Sequence, residues 1–566
     1  MSNTIGELTK QKLLEIFGDR VCFDLVELSA YSKDLISLPH KLRKYVKATP
    51  EAVVQPETLE EVQKLIELAN QEKIALTPRG AGTSAFGGAI PTMGGIVIDM
   101  VRFKGIKDID KLNKTVTVLS GTTMLQIEEY LLFRGMSLNL YPSSAPSATI
   151  GGWVAQGGCG YGSYSNQDIK SLIVEAQVLL PNGSISSFSG REIDKIAGTF
   201  GTAGIILEVT FRIGERIKQE EVILIEGDSL RNFSKFITAL KGISFDSLWS
   251  INFFCEKISE IKRSRSEHLN GSSGALLNVV FRNPRKEDVE GFLVLVQGCG
   301  LRVQERQVAQ KEWSNRYNLL DISRVKRNLV AGEVIIPSEK LEKLQDFIAE
   351  ELGDNIGIMG HYCGKDSIAV ILIHLGDDLE NNSWLKAIEA NRLQKLGLKL
   401  GGKPYGTGLY FSHLAETYFG RDALEAIWEW KKEVDPLAIM NPGKVFPENL
   451  DINSSAKELF KVLKYGRMAD TILGKAGKYL TSQTLSKNQT GVVCAKCGYC
   501  RHVCPVFREN PWESNNPRGK IFLLKQAKES EKIIDFINNK PTICLRCNRC
   551  VDFCQVQNEG WFANQS

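Results

Sequence analysis

The spacing of apolar residues divides the chain into regions of different predicted structure. Between residues 48 and 215, short apolar runs alternate with amphipathic segments, as in domains where strands and helices follow each other closely. One helix is predicted at 59–70, where apolar residues recur three and four positions apart. Residues 181–183 read Pro-Asn-Gly, which predicts a hairpin turn. Strands are predicted at 52–56, 74–77, 95–99, 116–120 and 172–180.

The pattern changes after residue 215. Up to residue 400, predicted helices (231–240, 286–297, 338–352) alternate with strands (276–281, 367–374), which indicates a separate α+β cap domain. Residues 401–447 return to glycine-rich loops, and 448–490 read as a basic helical linker. The expected domains are therefore 1–215, the cap at 216–400, a returning segment at 401–447, the linker at 448–490 and a cysteine-rich domain at 491–566.

Composition and charge exclude several classes of protein. The net charge of +4 is too small to predict a nucleic-acid partner. The sequence contains no run of 18 apolar residues, so no membrane span is predicted. Residues 1–20 read as an amphipathic helix without the apolar core and cleavage site of a signal peptide. A cytoplasmic protein is expected, with peripheral attachment to the inner face of a membrane through a partner as the alternative.

The thirteen cysteines fall into two groups. Five are scattered without pairing spacing, and eight form two runs, Cys-x2-Cys-x2-Cys-x3-Cys-Pro and Cys-x2-Cys-x2-Cys-x3-Cys. This is the ligand spacing of two 4Fe–4S clusters, which indicates a protein that transfers electrons. Two zinc sites are the alternative, but zinc cysteines usually come as separated Cys-x2-Cys halves. The eight expected ligands are Cys494, Cys497, Cys500, Cys504, Cys544, Cys547, Cys550 and Cys554.

In proteins with two such clusters, the fourth cysteine of each run binds the cluster of the other run. One cluster is therefore expected on the first three cysteines of the first run with Cys554, and the other on the first three of the second run with Cys504. Pro505 follows the first run as expected, whereas Gln555 replaces the second proline without removing a ligand.

Three glycine-rich segments lie in the first domain. Residues 79–88 read Arg-Gly-Ala-Gly-Thr-Ser-Ala-Phe-Gly-Gly after a strand and match neither a Rossmann nor a P-loop fingerprint. Glycines allow close approach of the backbone, and its N–H groups with Thr83 and Ser84 could cradle a pyrophosphate, although a plain tight turn fits as well. Similar loops at 148–162 and 198–205 favour a backbone wrapped around a large ligand.

These residues carry a resemblance. The Pro-Arg-Gly-Ala-Gly-Thr-Ser segment at 78–84, the Thr-Ile-Gly-Gly loop at 149–152 and the closing Asn-Pro-Gly-Lys at 441–444 resemble the FAD domain of the vanillyl-alcohol-oxidase type. They are closer to the flavin subunit of glycolate oxidase and to D-lactate dehydrogenases, over about 30–447. The tail resembles the N-terminal part of the glycolate oxidase iron–sulfur subunit. The resemblance implies an α+β fold, with an FAD-binding domain of two subdomains, an α+β cap and a helical two-cluster, ferredoxin-like domain.

The resemblance also implies a flavin site. FAD is expected in the first domain, with residues 79–84 on its pyrophosphate and its ring facing the cap. No histidine in the loop could tether the flavin, so FAD is expected to be non-covalent. The expected cofactor-binding residues are Pro78, Arg79, Gly80, Ala81, Gly82, Thr83, Ser84, Gly87, Pro142, Ser147, Thr149, Gly151, Gly152, Ala155, Gly158, Gly162, Gly204, Ile205, Ile206 and Asn441.

Members of the resembled families oxidise 2-hydroxy acids, whose carboxylate needs a bidentate cation. Arg316 and Arg324 match positions where the family carries cap arginines, although surface ion pairs would also explain them. The general base is expected among His361, Tyr405 and His413, because a histidine titrates near neutrality and Lys403 could lower the pKa of Tyr405. His374 lies in an apolar strand and is expected to be structural.

One departure from the family concerns a divalent metal. Many relatives hold it with Gly-His-x-Gly-Asp-Gly-Asn-x-His and Glu-His-Gly-x-Gly segments. Here Gly360-His361 continues as Tyr-Cys-Gly-Lys, and Lys403-Pro404 stand where Glu-His is expected. A single histidine without carboxylate support rarely holds a catalytic metal, so no divalent metal is predicted.

The leading functional hypothesis is a dehydrogenase that oxidises a small 2-hydroxy acid and passes electrons from FAD to the clusters. A partner is expected to receive them: an iron–sulfur protein with cysteine-rich domains, an electron-transfer flavoprotein or a quinone-linked acceptor. The first alternative is an electron-wiring subunit of a larger complex without a 2-hydroxy-acid substrate of its own. The second is a reductase in which the clusters feed FAD.

Overall fold

The computed structural model describes most of the chain. Its described residues are 5–35, 46–264, 269, 274–324, 330–351, 355–375, 383–446, 494–527, 544, 545, 547 and 549–554, with the side chains at 321, 324, 383–388 and 525–527 excepted. The predicted linker at 448–490 lies outside these residues. Within the described part, no helix combines the length and apolar character needed to cross a membrane.

The first domain opens with a four-stranded sheet of order β1–β2–β4–β3, in which β4 runs parallel to both β2 and β3. The predicted helix at 59–70 is confirmed as α3, and a capping box between Thr58 and Glu61 fixes its start. Its buried face is the predicted apolar stripe. The elements are α1 (Glu7–Phe17), β1 (Val21–Cys22), α2 (Leu25–Ala30), β2 (Ala52–Val54), α3 (Leu59–Glu72), β3 (Leu76–Arg79) and β4 (Ile96–Asp99).

The second half of the first domain is an antiparallel sheet of order β5–β6–β10–β8–β9. Strands β8 and β9 form a hairpin around 181–183, as predicted. The elements are β5 (Ile106–Asp110), β6 (Thr115–Leu119), α4 (Met124–Leu132), β7 (Met136–Ser137), α5 (Ile150–Gln156), α6 (Ser163–Asn166), β8 (Ile173–Leu179), β9 (Ile185–Phe188), β10 (Ile205–Arg212) and β11 (Gly214–Glu215).

The cap is built on one eight-stranded sheet of order β15–β12–β14–β13–β17–β18–β16–β19. The sheet runs past the expected boundary at 400, because β19 pairs with β16. The elements are β12 (Glu220–Gly227), α7 (Phe233–Lys241), β13 (Leu248–Phe254), α8 (Glu256–Arg263), β14 (Ala275–Arg282), α9 (Lys286–Gly298), β15 (Arg302–Val303), α10 (Arg306–Ser314), β16 (Val330–Pro337), α11 (Leu341–Glu351), β17 (Ile356–Cys363), β18 (Ser367–His374), α12 (Ser383–Lys399) and β19 (Lys403–Pro404).

After the cap, the chain returns to the first domain. The Asn441 N–H donates to the Leu76 carbonyl at 2.7 Å, so the returning segment is held beside β3. The cysteine-rich domain is helical and packs on the first domain, where Leu523 shares an apolar cluster with Val26, Tyr31 and Val53. The elements are α13 (Ala415–Phe419), α14 (Arg421–Val434), α15 (Tyr499–Val503), α16 (Pro505–Glu509), α17 (Pro517–Ala527) and α18 (Arg549–Asp552).

Candidate functional site

A cavity of about 620 Å³ lies where the first domain, the cap sheet and the cysteine-rich domain meet. The loop at 80–84 and residues of the 148–156 segment form one side. The inner faces of β16, β17 and β18 form a second, and the 494–497 segment forms a third. Three parts of the chain that are remote in sequence therefore enclose one site.

The loop at 80–84 approaches α5 so closely that only glycine fits at residue 80. A Cβ on Gly80 would collide with Oγ1 of Thr149, the residue that caps the start of α5. Gly82 has a φ of +61°, and a Cβ there would strike the guanidinium of Arg79. The two glycines thus bring bare backbone to the cavity wall.

Arg79 does not line the cavity. Its guanidinium lies over the ring of Tyr31 and donates to the Lys33 carbonyl at 2.8 Å. Its Nη2 has no hydrogen-bond partner within the described residues, and burial lowers its pKa. The side chain therefore supports the glycine loop from behind, whereas the sequence predicted it on the ligand.

The predicted cofactor-binding residues divide into two groups. Those that line the cavity are Pro78, Gly80, Ala81, Gly82, Thr83, Ser84, Pro142, Thr149, Gly152 and Ala155. Those outside its lining are Arg79, Gly87, Ser147, Gly151, Gly158, Gly162, Gly204, Ile205, Ile206 and Asn441. Two of the second group contact neighbouring segments: Gly151 packs on Ser120, and the Asn441 amide donates to the carbonyl of Phe200, which lines the cavity, at 2.6 Å.

The cap presents an acid and a histidine to the cavity. Glu333 of β16 and His361 of β17 both line it, together with Tyr405, whose N–H donates to the Glu333 carbonyl at 3.0 Å. Strand β18 lies between β16 and β17, and its Ile371 pairs with Glu333 while its Ala369 pairs with His361. The two titratable groups thus stand on the same face of the sheet, two strands apart.

Burial shifts the pKa of each of these groups. It raises the pKa of Glu333 to about 7 and lowers the pKa of His361 to about 4. It also raises the pKa of Tyr405, so this phenol is neutral at physiological pH. The Nδ1 atom of His361 has no hydrogen-bond partner among the residues that the structure describes. Near neutrality, Glu333 is therefore the cap group best placed to exchange a proton.

The remaining predicted catalytic residues lie outside this cavity. Arg316 lines a separate cavity of about 270 Å³ and is held by the rings of Trp313 and Tyr317, while its Nε donates to the Tyr141 hydroxyl at 3.2 Å. His413 does not line the main cavity and lies beside the ring of Phe411. The side chain of Arg324 lies outside the described residues.

The sequence reasoning missed two features of the cavity wall. Glu333 is not among the site residues predicted from the sequence, although an acid in the apolar segment 330–337 is an available signal for a functional group. Trp153 also lines the cavity, and its Nε1–H has no partner among the described residues. Nothing in the sequence marks this indole as different from an ordinary core residue.

The first cysteine run reaches the same cavity. Residues 494–497 line it, and the Ser147 hydroxyl donates to the Cys497 carbonyl at 2.6 Å. The Tyr499 hydroxyl contacts two carbonyl oxygens, that of Ser143 at 2.8 Å and that of Tyr317 at 3.1 Å. Ser147, which the sequence assigned to a cofactor, therefore holds the cysteine segment in place.

A buried ion pair lies beneath this run. Arg518 donates from Nε and Nη2 to both oxygens of Glu513, at 2.6 and 2.9 Å, and from Nη1 to the Lys496 carbonyl at 3.4 Å. Burial opposes the charge on Glu513, but Arg518 and Arg501 outweigh it and lower its pKa to about 2. The pair ties α17 to the segment that carries the first cysteines.

The thiols associate in two sets. Cys497 interacts electrostatically with Cys494 and Cys554, and Cys500 interacts with Cys494 and Cys497. Cys550 interacts with Cys544, Cys504 and Cys547. The crossed assignment of cluster ligands made from the sequence stays a prediction. Cys544 and Cys547 are exposed, whereas Cys494 and Cys497 face the cavity.

The structure pairs two of the five scattered cysteines. Cys159 and Cys363 form a disulfide between the first domain and the cap. Their separation of 204 residues gives no pairing signal, because only the fold brings the loop after α5 to the end of β17.

Three protein families match the chain. The FAD binding domain family covers residues 50–189, the C-terminal domain of FAD linked oxidases covers 231–445, and the 4Fe-4S dicluster domain covers 492–558. These matches confirm the resemblance stated from the sequence. They also confirm the cofactor types, FAD and 4Fe–4S clusters.

Named relatives match the first two domains. The chain is 24% identical over 435 residues to a mitochondrial cytochrome D-lactate dehydrogenase of Arabidopsis thaliana, covering 71% of this chain and 74% of that protein. It is 22% identical over 434 residues to glycolate oxidase subunit GlcD of Bacillus subtilis, covering 71% and 90%.

Solved structures confirm the fold. A p-cresol methylhydroxylase matches with a TM-score of 0.64 at 16% identity, covering 77% of this chain and 95% of that one. An alkyldihydroxyacetonephosphate synthase matches with a TM-score of 0.60 at 20% identity, covering 77% and 86%. At these identities the likeness concerns the fold alone.

Proposed function

The chain is an FAD-linked oxidoreductase with a 4Fe-4S dicluster domain, and we propose that it is a dehydrogenase of small 2-hydroxy acids. The observation that carries the proposal is the single cavity shared by the glycine loop, the titratable groups of the cap and the first cysteine run. The named relatives, D-lactate dehydrogenases and a glycolate oxidase subunit, support the choice of substrate class.

The residues of the cavity fit FAD. The cavity volume of about 620 Å³ lies within the range of about 300 to 1,000 Å³ that is usual for ligand pockets. The glycine loop offers backbone donors and the hydroxyls of Thr83 and Ser84. Trp153 and His361 line the cavity, and each has a ring nitrogen without a partner among the described residues. We propose non-covalent binding, since the 80–84 loop contains no histidine or cysteine.

The eight cysteines fit two 4Fe–4S clusters. Each thiolate in such a cluster binds its own iron, so the ligands stand farther apart than around a single zinc ion. The match of residues 492–558 to the 4Fe-4S dicluster domain family favours clusters over zinc. We propose the crossed sets, Cys494, Cys497, Cys500 and Cys554 for one cluster and Cys544, Cys547, Cys550 and Cys504 for the other.

Bound FAD would supply a hydride acceptor, and bound clusters would supply one-electron carriers. Glu333, as a carboxylate, would accept the proton of the substrate hydroxyl, and His361 would orient that hydroxyl through its Nδ1 atom. Arg324 remains the candidate partner of the substrate carboxylate, because its neighbour Ser323 lines the cavity. Arg316 would act only indirectly, through Tyr161, whose hydroxyl donates to the Arg316 carbonyl at 2.6 Å.

The position of the cysteine sets suggests an order. The first set borders the flavin cavity, so it would receive electrons there, and the second set includes two exposed thiols at which an acceptor protein could approach. The acceptor is proposed to be a redox protein or a quinone-linked partner. Electron-wiring without a substrate remains the alternative, and the replaced metal motif at 360–369 and 402–408 favours it.

The test is anaerobic purification followed by quantitation of iron, sulfide and flavin, and then by mixing with a panel of D- and L-2-hydroxy acids. One FAD, eight irons and rapid flavin bleaching by one class of acid would support the proposal. Bleaching should be about 100-fold slower in Glu333→Gln and unchanged in Glu128→Gln, a half-buried acid outside the flavin cavity. The same cofactors without bleaching by any acid would favour the wiring subunit.

A further inference from the structure

A disulfide joins the two domains that enclose the flavin cavity. Cys159 follows α5 in the loop Gly157-Gly158-Cys159-Gly160, and Cys363 is the last residue of β17. Their Cα atoms are 6.4 Å apart, within the range of about 4.4 to 6.8 Å usual for disulfides. Among the described residues, this is the one disulfide between the first domain and the cap.

The disulfide belongs to the cavity wall. Cys159 lines the cavity, and its backbone is bound on both sides by Tyr405, which accepts from the Cys159 N–H and donates to its carbonyl, both at 2.9 Å. His361 lies two residues before Cys363 on the same strand. The bond therefore fixes the spacing between the 157–160 loop and two of the side chains that face the cavity, Tyr405 and His361.

The other cysteines of the chain argue against a permanent, purely structural role for this disulfide. Eight thiols of the same chain must be reduced when iron binds, so the chain acquires its clusters where thiols are kept reduced. Disulfides in such places are mostly transient and take part in catalysis or redox sensing. Cys363 is half-buried and Cys159 is buried, so one sulfur can be reached by a small reductant.

We infer that Cys159 and Cys363 form a second, thiol-based redox site that exchanges two electrons with low-molecular-weight thiols and fastens the cap when oxidised. A thiolate of the reductant attacks the Cys363 sulfur, and the sulfur–sulfur bond breaks with release of the Cys159 thiolate. A second thiolate then resolves the mixed disulfide. The reductant leaves oxidised as its own disulfide, and both cysteines take up a proton.

Reduction is expected to loosen the cap without opening it. Two contacts remain after reduction. The Gly364 N–H, in the hairpin after β17, donates to the Ser163 carbonyl at 2.9 Å, and Tyr405 still binds the backbone of the 157–160 loop. Release of FAD should therefore become several-fold faster in the reduced form. This inference goes beyond the proposed function, because the chemistry of the pair does not depend on the substrate.

The first experiment measures the thiols directly. The holoprotein is equilibrated anaerobically at a series of reduced to oxidised dithiothreitol ratios, free thiols are alkylated after acid denaturation, and the peptides with Cys159 and Cys363 are quantified by mass spectrometry. Both should convert together in one two-electron transition, while Cys255 and Cys299 stay alkylated throughout. Alkylation of Cys159 and Cys363 at every ratio would overturn the proposal.

The second experiment tests the fastening of the cap. FAD release is followed by flavin fluorescence, with and without reductant, in wild type, Cys363→Ser and the control Cys299→Ser, a half-buried thiol outside the cavity. The wild type and Cys299→Ser should release FAD several-fold faster after reduction, and Cys363→Ser should release it at the fast rate in both conditions. A redox effect of unchanged size in Cys363→Ser would contradict the assignment. Because no substrate is used, these results are independent of whether a 2-hydroxy acid is oxidised.

Discussion

At the scale of single residues, the site depends on groups that burial has changed. In the sequence, Glu333 resembles any acid in a strand. In the folded protein its side chain lines a cavity whose other cap residues are mostly apolar. Burial penalises its charge and brings its pKa to about 7, where a carboxyl group can act as a base near neutrality. Such a position costs stability, and that cost is itself measurable.

Replacing Glu333 by Gln is expected to lower turnover about 100-fold or more, because a general base typically contributes that much. In the wild type, kcat/KM should rise with pH through about 7, as Glu333 loses its proton. The variant should lack this rise. Steady-state rates from pH 5.5 to 9 provide the measurement, and a pH profile unchanged in Glu333→Gln would assign the base elsewhere.

The same variant should be more stable than the wild type at high pH. The pKa of Glu333 is raised in the folded state, so ionising this carboxyl costs more in the folded protein than in the unfolded chain. The free energy of unfolding therefore falls as the pH rises from the ordinary pKa of 4.5 through about 7. This cost of ionisation amounts to about 3 kcal/mol at pH 8. The Glu333→Gln variant, whose amide is neutral, does not have it. Thermal melts should give the variant a higher Tm at pH 8 and a smaller gain at pH 5. A Tm gain independent of pH would contradict the shift.

Gly80→Ala is expected to weaken FAD binding strongly. The added Cβ collides with Oγ1 of Thr149, so the loop must move away from α5. Flavin content after gel filtration measures the effect. Gly298→Ala serves as the control, because nothing lies within 4 Å of its added Cβ. The double variant Gly80→Ala with Thr149→Ala should regain part of the flavin, since it removes the colliding oxygen, and no recovery would contradict this explanation.

At the scale of elements, strands and turns bring remote groups together. Strand β18 sets Glu333 and His361 on one face through its pairing with β16 and β17. In the cysteine-rich domain, the ion pair of Arg518 with Glu513 orders the segment that carries Cys494 and Cys497. A buried pair of this kind fixes geometry more than it adds stability, since both charges lose their hydration.

Arg518→Leu should destabilise the cysteine-rich domain by about 3 to 5 kcal/mol, because it leaves Glu513 charged and buried without its main partner. Loss of iron on mild heating, followed by absorbance, measures the effect. The double variant Arg518→Leu with Glu513→Leu should retain iron better than the single variant, because no uncompensated charge remains. A double variant that loses iron as fast as the single one would show that Arg518 acts through its contact with Lys496.

At the scale of the whole molecule, the cysteine-rich domain is docked on the first domain and is not a separate module. Leu523 fills an apolar cluster of the first domain, and the Gln55 amide donates to the Pro511 carbonyl at 3.0 Å. This docking brings the first cysteine run to the flavin cavity. Electron transfer between the two sites would therefore depend on the packing of α17.

Leu523→Glu is expected to undock the cysteine-rich domain, because a charge placed in that apolar cluster costs several kcal/mol. Limited proteolysis should release an iron-containing C-terminal fragment while FAD stays with the remainder. Leu112→Glu is the matched control, since Leu112 is 91% exposed and should leave the protease pattern unchanged. Equal protease resistance of the Leu523→Glu variant and the wild type would contradict this description of the interface.

Local patterns in the sequence were enough to predict the parts of the molecule whose chemistry is local. Cysteine spacing within each run predicts cluster ligands, apolar periodicity predicted α3, and the Pro-Asn-Gly turn predicted the β8–β9 hairpin, because these patterns depend on near neighbours. Other features are visible only in the folded chain. Arg79 lies behind its loop and binds the Lys33 carbonyl, Cys159 is bonded to Cys363, and Glu333 is the acid of the cap that lines the cavity. Burial, packing and long-range proximity arise only when segments hundreds of residues apart meet, and no local pattern encodes them.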